Sequence, residues 1–163
     1  MAFYFNGNQV DDVKYNGNPI DVLKYNGVIV WERWKLITTS LKVGSKESPS
    51  GKYPTEESFE YTVPSNIKPK VLKCEGWVEN HTNDANIDAN ATASIHGWNG
   101  SRWIELAKSS VYQVWGRGEG TARCSYTVPD VDNQYSKYLF KCNGNSFKRR
   151  ATGYLNQYYK KGE

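Results

Sequence analysis

Apolar and polar side chains alternate over most of the chain beyond residue 58. Successive side chains of a strand point to opposite faces, so this period of two is typical of half-buried β-strands. About seven or eight short strands of this kind predict an antiparallel β-sandwich. The inward positions predicted strand by strand are Phe59, Tyr61 and Val63; Leu72, Cys74, Gly76 and Val78; Ala122, Cys124, Tyr126 and Val128; and Tyr138, Phe140 and Cys142.

The composition favours strands over helices. Val, Ile and Thr total 29 residues, whereas Leu, Ala and Met total 16, and aromatic residues make up 14% of the chain. Branched and aromatic side chains fit a pleated sheet, and the residues that stabilise helices best are scarce. A helical bundle, a coiled coil and collagen are therefore excluded, and the predicted fold class is all-β.

The three cysteines, Cys74, Cys124 and Cys142, all fall on predicted inward faces. Structural zinc sites bring cysteines in close pairs, and this spacing contains none. We therefore expect three free, buried thiols, with no metal and no cofactor. No apolar run approaches the roughly 20 residues of a membrane-spanning helix, so a membrane is not an expected partner.

Three of the six tryptophans lie between residues 98 and 115, together with Tyr112. The sequence Trp98-Asn99-Gly100-Ser101-Arg102-Trp103 predicts a hairpin with an Asn-Gly turn and one tryptophan on each arm. The two rings would lie nearly opposite each other on one face and could grip a sugar ring. The alternative is that the rings pack into the core of the sandwich. The candidate surface or glycan contacts are Trp98, Arg102, Trp103, Tyr112 and Trp115.

A glycoside hydrolase would need two carboxylates about 5–10 Å apart in a cleft. Glu105 and Glu119 are the only acids near the tryptophan cluster, and nothing in the sequence brings them together. We therefore expect no catalytic residue.

Basic residues are concentrated at the C-terminal end. From Lys141 onward there are six lysines and arginines and one acid, Glu163. With Tyr154, Tyr158 and Tyr159 beside them, these residues could contact nucleic acid. The favoured interpretation is a solvated strand face or a contact with an acidic partner, and nucleic acid is not an expected partner.

The first 34 residues contain a repeat with a period of ten. Its copies begin Tyr4-Phe5-Asn6-Gly7, Lys14-Tyr15-Asn16-Gly17 and Lys24-Tyr25-Asn26-Gly27. Asn-Gly pairs favour tight turns because both residues tolerate positive φ, so the pattern predicts a β-meander of about four strands. Such a small unit cannot bury its apolar side chains alone and is a candidate docking element. Its candidate contact residues are Tyr15, Asn16, Gly17, Tyr25, Asn26, Gly27 and Trp31.

The predicted organisation is therefore a meander over residues 1–34, which serves as an anchor, and an exposed sandwich over residues 35–163. Within the sandwich, the polar stretch at about 41–58 contains two glycines and two prolines, which predicts a loop.

The N-terminal repeats resemble a motif of virion proteins from bacteriophages of Gram-positive hosts. In those proteins, short copies of (Lys/Val)-Tyr-Asn-Gly-x-x-Val run into a final Val-Trp-Glu, which here is Val30-Trp31-Glu32. The resemblance covers about residues 4–34. It implies a tail, baseplate or capsid-surface component that is synthesised in the host cytoplasm and assembled into the virion. Its implied partners are other virion proteins and copies of the same chain.

Two functional hypotheses follow. The favoured one is a non-enzymatic structural protein of a phage virion, anchored by residues 1–34, whose sandwich either decorates the particle or binds carbohydrate on the host surface. The alternative is a carbohydrate-active module, either binding or hydrolytic, that is not tied to a virion.

Overall fold

A computed structural model describes residues 4–5, 8–9, 13–16, 18–20, 22–48, 56–81, 88–129 and 134–161. Within these ranges there is no helix that could cross a membrane. Six short strands come first: β1 (Tyr4–Phe5), β2 (Asn8–Gln9), β3 (Val13–Tyr15), β4 (Asn18–Ile20), β5 (Val22–Tyr25) and β6 (Val28–Glu32). The later strands are β7 (Trp34–Ile37), β8 (Leu41–Glu47), β9 (Glu56–Thr62), β10 (Ile67–Asn80), β11 (Asp88–Trp98), β12 (Trp103–Lys108), β13 (Tyr112–Trp115), β14 (Gly118–Thr127), β15 (Lys137–Asn143) and β16 (Lys148–Lys161).

The later strands form two antiparallel sheets. In the first sheet, β16 pairs with β10 on one side and with β8 and β7 on the other, and β14 lies beyond β10. In the second sheet, β15 lies between β9 and β11, and both β12 and β13 pair with β11. With β12 and β13 counted as one interrupted strand, this is the strand order of a jelly roll, a sandwich of two Greek keys. The predicted all-β antiparallel sandwich is confirmed.

Burial confirms the inward faces that the alternation predicts. On β10, β14 and β15 the predicted inward side chains are buried or half-buried, and those of β9 pack against the same core. The three cysteines are free and buried, as expected.

The two sheets fit together because small residues of the first face large residues of the second. Gly44 on β8 and Gly153 on β16 are register partners. Facing them, Phe59 on β9 and Phe140 on β15 are also partners, and their rings stack with centroids 5.3 Å apart. A Cβ at Gly44 would lie 2.5 Å from the Phe59 ring, and one at Gly153 would lie 2.7 Å from the Phe140 ring. Both positions therefore require glycine.

Cys74 and Cys124 continue this row of small residues across the first sheet. Cys74 is the register partner of both Gly153 and Cys124. The Cys74 sulfur lies 3.7 Å from the carbonyl oxygen of Lys141 on the second sheet, and the Cys124 sulfur lies 4.0 Å from that of Ala107. The thiols therefore act as compact apolar side chains between closely spaced sheets.

The predicted loop at about 41–58 is wrong at both ends. Leu41–Glu47 form β8, which pairs with β16, and Glu56–Thr62 form β9. β8 lies at a sheet edge and exposes most of its side chains, so its sequence lacks a clear alternation while its backbone is still hydrogen-bonded. In the sequence, Gly44 favours a loop. In the structure, Gly44 lies within a strand and leaves room for the Phe59 ring. Residues 49–55 lie outside the described residues.

Each N-terminal repeat forms a two-stranded hairpin: β1 with β2, β3 with β4, and β5 with β6. The turns lie where the Asn-Gly pairs predict them, with positive φ at Asn16 (50°), Asn26 (48°) and Gly27 (79°). Asn6-Gly7 and Gly17 lie outside the described residues. For each strand predicted between two turns, the structure describes two short segments that pair through different turns. The described hairpins therefore form three separate small sheets rather than one continuous ladder.

Candidate functional site

The Trp98–Trp103 hairpin has the register that the sequence predicts. Trp98 at the end of β11 and Trp103 at the start of β12 are direct partners, and both side chains are half-buried. Their ring centroids lie 5.3 Å apart with the ring planes tilted by 58°. Because the rings contact each other, the prediction that they grip a sugar between them is wrong. A ligand can contact only the outer surfaces of the pair.

The loop between the two tryptophans is ordered by Asn99. Its Oδ1 accepts hydrogen bonds from the Ser101 amide at 3.0 Å, the Ser101 hydroxyl at 3.0 Å and the Arg102 amide at 2.9 Å. The backbone N–H of Asn99 in turn donates to the backbone carbonyl oxygen of Arg102 at 3.2 Å. In this loop Gly100 has the positive φ, 96°, and Asn99 does not. Asn99 therefore stabilises the loop through the hydrogen bonds of its side chain and not through a left-handed backbone.

An open cleft of about 540 Å³ lies beside this hairpin. Three aromatic residues line it from separate segments: Trp98 from β11, Tyr126 from the end of β14, and Tyr135 from the segment before β15. The remaining lining residues are Asn99, Gly100, Pro129, Gln134 and Ser136. The cleft therefore combines aromatic rings with amide and hydroxyl groups, and none of its described lining residues is a carboxylate, a lysine or an arginine.

Close packing fixes the position of Tyr135. A Cβ at Gly97 would lie 2.4 Å from the Tyr135 ring, so the ring packs directly onto the β11 backbone next to Trp98. Tyr135 also makes an edge contact with the buried Tyr138, with centroids 6.0 Å apart. At the other wall, burial raises the pKa of Tyr126 above its ordinary value, at which the hydroxyl is already protonated at neutral pH.

Tyr112 and Trp115 lie at the opposite end of the sheet. Both belong to β13, which pairs with Asp88–Ala91 at the start of β11, whereas Trp98 ends that strand. The ten-residue separation of Asp88 and Trp98 corresponds to roughly 33 Å. Trp115 is 65% exposed, while the Tyr112 ring packs over Gly120. The five candidate residues therefore form two groups, and only Trp98, Arg102 and Trp103 belong to the hairpin.

The two acids considered for hydrolysis do not form a pair. Glu105 on β12 is the register partner of His96 on the outer face of the second sheet, and Glu119 on β14 is the partner of Glu79 on the outer face of the first. Stacked sheets lie about 10 Å apart, and both side chains point away from the interior. Burial lowers the pKa of His96, whose ring nitrogen lies 3.0 Å from the Ser94 hydroxyl.

The docking candidates lie in the hairpins of the repeats. Tyr15 on β3 is 71% exposed, and Val28 and Ile29 on β6 are 66% and 51% exposed. Tyr25 and Trp31 are placed in β5 and β6, but their side chains lie outside the description. Exposed branched side chains in such short strands are consistent with a surface that another protein covers.

Sequence reasoning missed the second wall of the cleft. Tyr126 is correctly predicted as an inward residue of β14, but its position at the strand end also brings it into the cleft. Gln134, Tyr135 and Ser136 precede β15 and show no alternation. Their aromatic and polar composition was the only available signal.

No protein-family model and no curated protein matches the chain. Solved structures with a similar chain path include a CBM4 carbohydrate-binding module, 9% identical with a TM-score of 0.38 over 79% of this chain and 78% of that one. The cowpea mosaic virus top component is 8% identical, with a TM-score of 0.41 over 72% of this chain and 84% of that one. A particle protein of infectious bursal disease virus (IBDV) is 10% identical, with a TM-score of 0.44 over 90% of this chain and 37% of that one. At these TM-scores the similarities assign no function.

Proposed function

We propose that the chain is a non-enzymatic phage virion protein that docks through its N-terminal hairpins and binds host-surface carbohydrate in the cleft beside Trp98. The observation that carries the proposal is the lining of this cleft by Trp98, Tyr126 and Tyr135 together with amide and hydroxyl side chains. The apolar face of a sugar ring packs on aromatic rings, and its hydroxyls need hydrogen-bond partners, so the lining matches both requirements.

A neutral glycan fits the described lining better than a charged ligand does. The lining residues that the structure describes include no side chain that carries a charge at neutral pH, and the basic residue of the hairpin, Arg102, is exposed at the loop. Among the described residues, no carboxylate lines the cleft, and Glu105 and Glu119 lie on the outer faces of different sheets, so the proposal is binding without hydrolysis.

Docking to a virion is supported by the N-terminal repeats. Their sequence resembles that of phage virion proteins, and their hairpins expose Tyr15, Val22, Val28 and Ile29. Two-stranded hairpins are marginally stable alone, so a covering partner would stabilise them.

Two matched tryptophan variants test the glycan site. Trp98→Ala removes an aromatic wall of the cleft, whereas Trp115→Ala removes a more exposed tryptophan at the other end of the sheet. Binding is measured by affinity electrophoresis through gels that contain neutral polysaccharides and by pull-down on bacterial cell walls. Aromatic stacking on a ring ligand contributes about 1–3 kcal/mol, so Trp98→Ala should weaken binding about 5- to 150-fold. Trp115→Ala should leave it within about twofold.

Equal losses in the two variants, or no binding by the unaltered protein to any neutral glycan or wall, would contradict the glycan site. Because Trp98 also supports Trp103, both variants are checked for unchanged secondary structure by circular dichroism, and Trp98→Phe serves as the conservative variant that should keep most of the binding.

Deletion of residues 1–33 tests the docking role. The deletion ends just before β7, which pairs with β16 and belongs to the sandwich. In phage particles assembled with the shortened chain, quantitative mass spectrometry should find the protein strongly depleted while its glycan binding in solution persists. Normal incorporation of the shortened chain would exclude docking by the hairpins.

A further inference from the structure

Cys74 and Cys124 lie beside each other on neighbouring strands of the first sheet. Cys74 on β10 and Cys124 on β14 are direct register partners, and both side chains lie on the inward face. Direct partners in an antiparallel pair have their Cα atoms roughly 4.5 or 5.5 Å apart, and a disulfide joins Cα atoms roughly 4.4–6.8 Å apart. The folded backbone therefore already holds these two residues at a separation that a disulfide can span.

The two side chains need only a small rearrangement to meet. Cβ atoms of direct partners lie roughly 4.5–5.5 Å apart, whereas a disulfide needs roughly 3.5–4.5 Å, so the strands must approach each other slightly. The nearest carbonyl oxygens of the second sheet lie 3.7 Å from the Cys74 sulfur and 4.0 Å from the Cys124 sulfur. These contacts are long and thiols are weak donors, so little is lost when the sulfur atoms turn toward each other.

The third cysteine, Cys142, is placed less favourably for a bridge. It lies on β15 of the second sheet, and its sulfur faces Gly76, where a Cβ would lie 2.9 Å away. Gly76 is two residues beyond Cys74 on the same inward face, which corresponds to roughly 7 Å along the strand. The geometry therefore favours the pair of Cys74 and Cys124 over either pair that includes Cys142.

The surroundings of the sulfur atoms determine which of them reacts first. Cys124 is 9% exposed, whereas Cys74 and Cys142 are fully buried. Hydrogen bonding by the Cys74 thiol lowers the pKa of Cys124, and burial raises the pKa of Cys142 to about 11. The thiolate is the form of cysteine that attacks an oxidant. Cys124 is thus the sulfur that a small oxidant meets first, and Cys74 is the neighbouring thiol that can complete a bridge.

We propose that Cys74 and Cys124 are a modification site at which hydrogen peroxide closes a cross-strand disulfide, while Cys142 stays a free thiol. In the first step, the Cys124 thiolate attacks one oxygen of the peroxide, the O–O bond breaks, hydroxide leaves and Cys124 becomes a sulfenic acid. In the second step, the Cys74 sulfur attacks the Cys124 sulfur and the S–O bond breaks. The Cys74 proton leaves with that oxygen as water. The two thiols together lose two electrons, which the peroxide takes up.

The bridge would join two strands that are adjacent in the sheet and far apart in the sequence. It would therefore restrict the separation of β14 from β10 when the protein unfolds. The proposal depends neither on glycan binding nor on docking to a virion, because it rests on the register of these two strands alone.

Oxidation of the full chain in its folded state tests the proposal. The protein is treated with a small excess of hydrogen peroxide, unfolded in the presence of an alkylating reagent and digested for peptide mass spectrometry. Free thiols should fall from three to one, and the bridged peptides should contain Cys74 and Cys124. Dithiothreitol should restore all three thiols. Cys142→Ala should form the same bridge and Cys74→Ala should form none; the peptide map of the unaltered protein decides even if a variant folds poorly.

The same treatment in urea is the matched control, because an unfolded chain pairs its cysteines by loop length. Cys124 and Cys142 enclose the shorter loop and should then pair roughly fivefold more often than Cys74 and Cys124. A bridge to Cys142 in the folded protein, or the same mixture of bridges in folded and unfolded protein, would overturn the proposal. Retention of all three thiols, or conversion of Cys124 to a sulfinic acid without a bridge, would overturn it as well.

Discussion

Gly153→Ala is the sharpest test of how the two sheets fit together. The new methyl group would lie 2.7 Å from the ring of Phe140, which is fully buried and stacked on Phe59. Neither ring can move aside easily, because Phe59 in turn fills the space next to Gly44. Gly153 has no positive φ, so the substitution introduces a clash without backbone strain.

Overpacking of a closed core costs about 1–3 kcal/mol. For a chain of this size, each kcal/mol lowers the melting temperature by about 2–4 °C, so Gly153→Ala should lower it by about 2–12 °C. The assay is urea unfolding followed by tryptophan fluorescence, with thermal unfolding as a second measurement.

A double-variant cycle shows whether the ring is responsible. Phe140→Leu removes ring atoms next to the new methyl group and destabilises the protein by itself. If the clash is the cause, Gly153→Ala/Phe140→Leu should be more stable than the sum of the two single losses by about 1 kcal/mol. Strict additivity, or a loss below about 0.5 kcal/mol for Gly153→Ala alone, would refute the account of close packing between these sheets.

Three further predictions concern thiols, carboxylates and the loop. A thiol reagent should label the three cysteines slowly in the native protein and fully after denaturation, since all three are buried and burial also raises the pKa of Cys142 to about 11; rapid native labelling of all three would contradict their burial. Hydrogen bonding from Lys148 lowers the pKa of Glu47 in the folded protein, so the ionised Glu47 carboxylate stabilises the fold at neutral pH. The free energy of unfolding in urea should lose this contribution from about pH 5 to about pH 3, as Glu47 is protonated, and Glu47→Gln should make the decline shallower. Asn99→Ala removes the acceptor of three hydrogen bonds and should cost about 1 kcal/mol in urea unfolding, whereas Asn99→Asp keeps the acceptor and should be nearly neutral.

Alternation in the sequence predicts the core faces because strand geometry is local. Leu72 and Phe140 follow from their position in a period of two, and the opposite positions of Trp98 and Trp103 follow from a short loop. The same reasoning fails for β8, because its mostly exposed side chains do not alternate between apolar and polar. This strand forms by pairing with β16, which lies more than a hundred residues later in the chain.

Sites assembled from distant segments are also beyond the sequence pattern. The cleft joins Trp98 to Tyr126 and Tyr135. Strand order brings these residues together, and residue spacing does not reveal strand order. Tyr112 and Trp115 show the converse, since they are near Trp103 in sequence and lie at the far end of the sheet.

The most direct test of the glycan site is a titration followed by the indole N–H signals of the six tryptophans in a nitrogen-15 NMR spectrum. The probe is the neutral polysaccharide fragment that binds best in affinity electrophoresis. The account predicts a saturable shift of the Trp98 signal, assigned by its absence in Trp98→Phe, while the Trp115 signal stays in place. A shift at Trp115 with no change at Trp98 would contradict the cleft as the binding site.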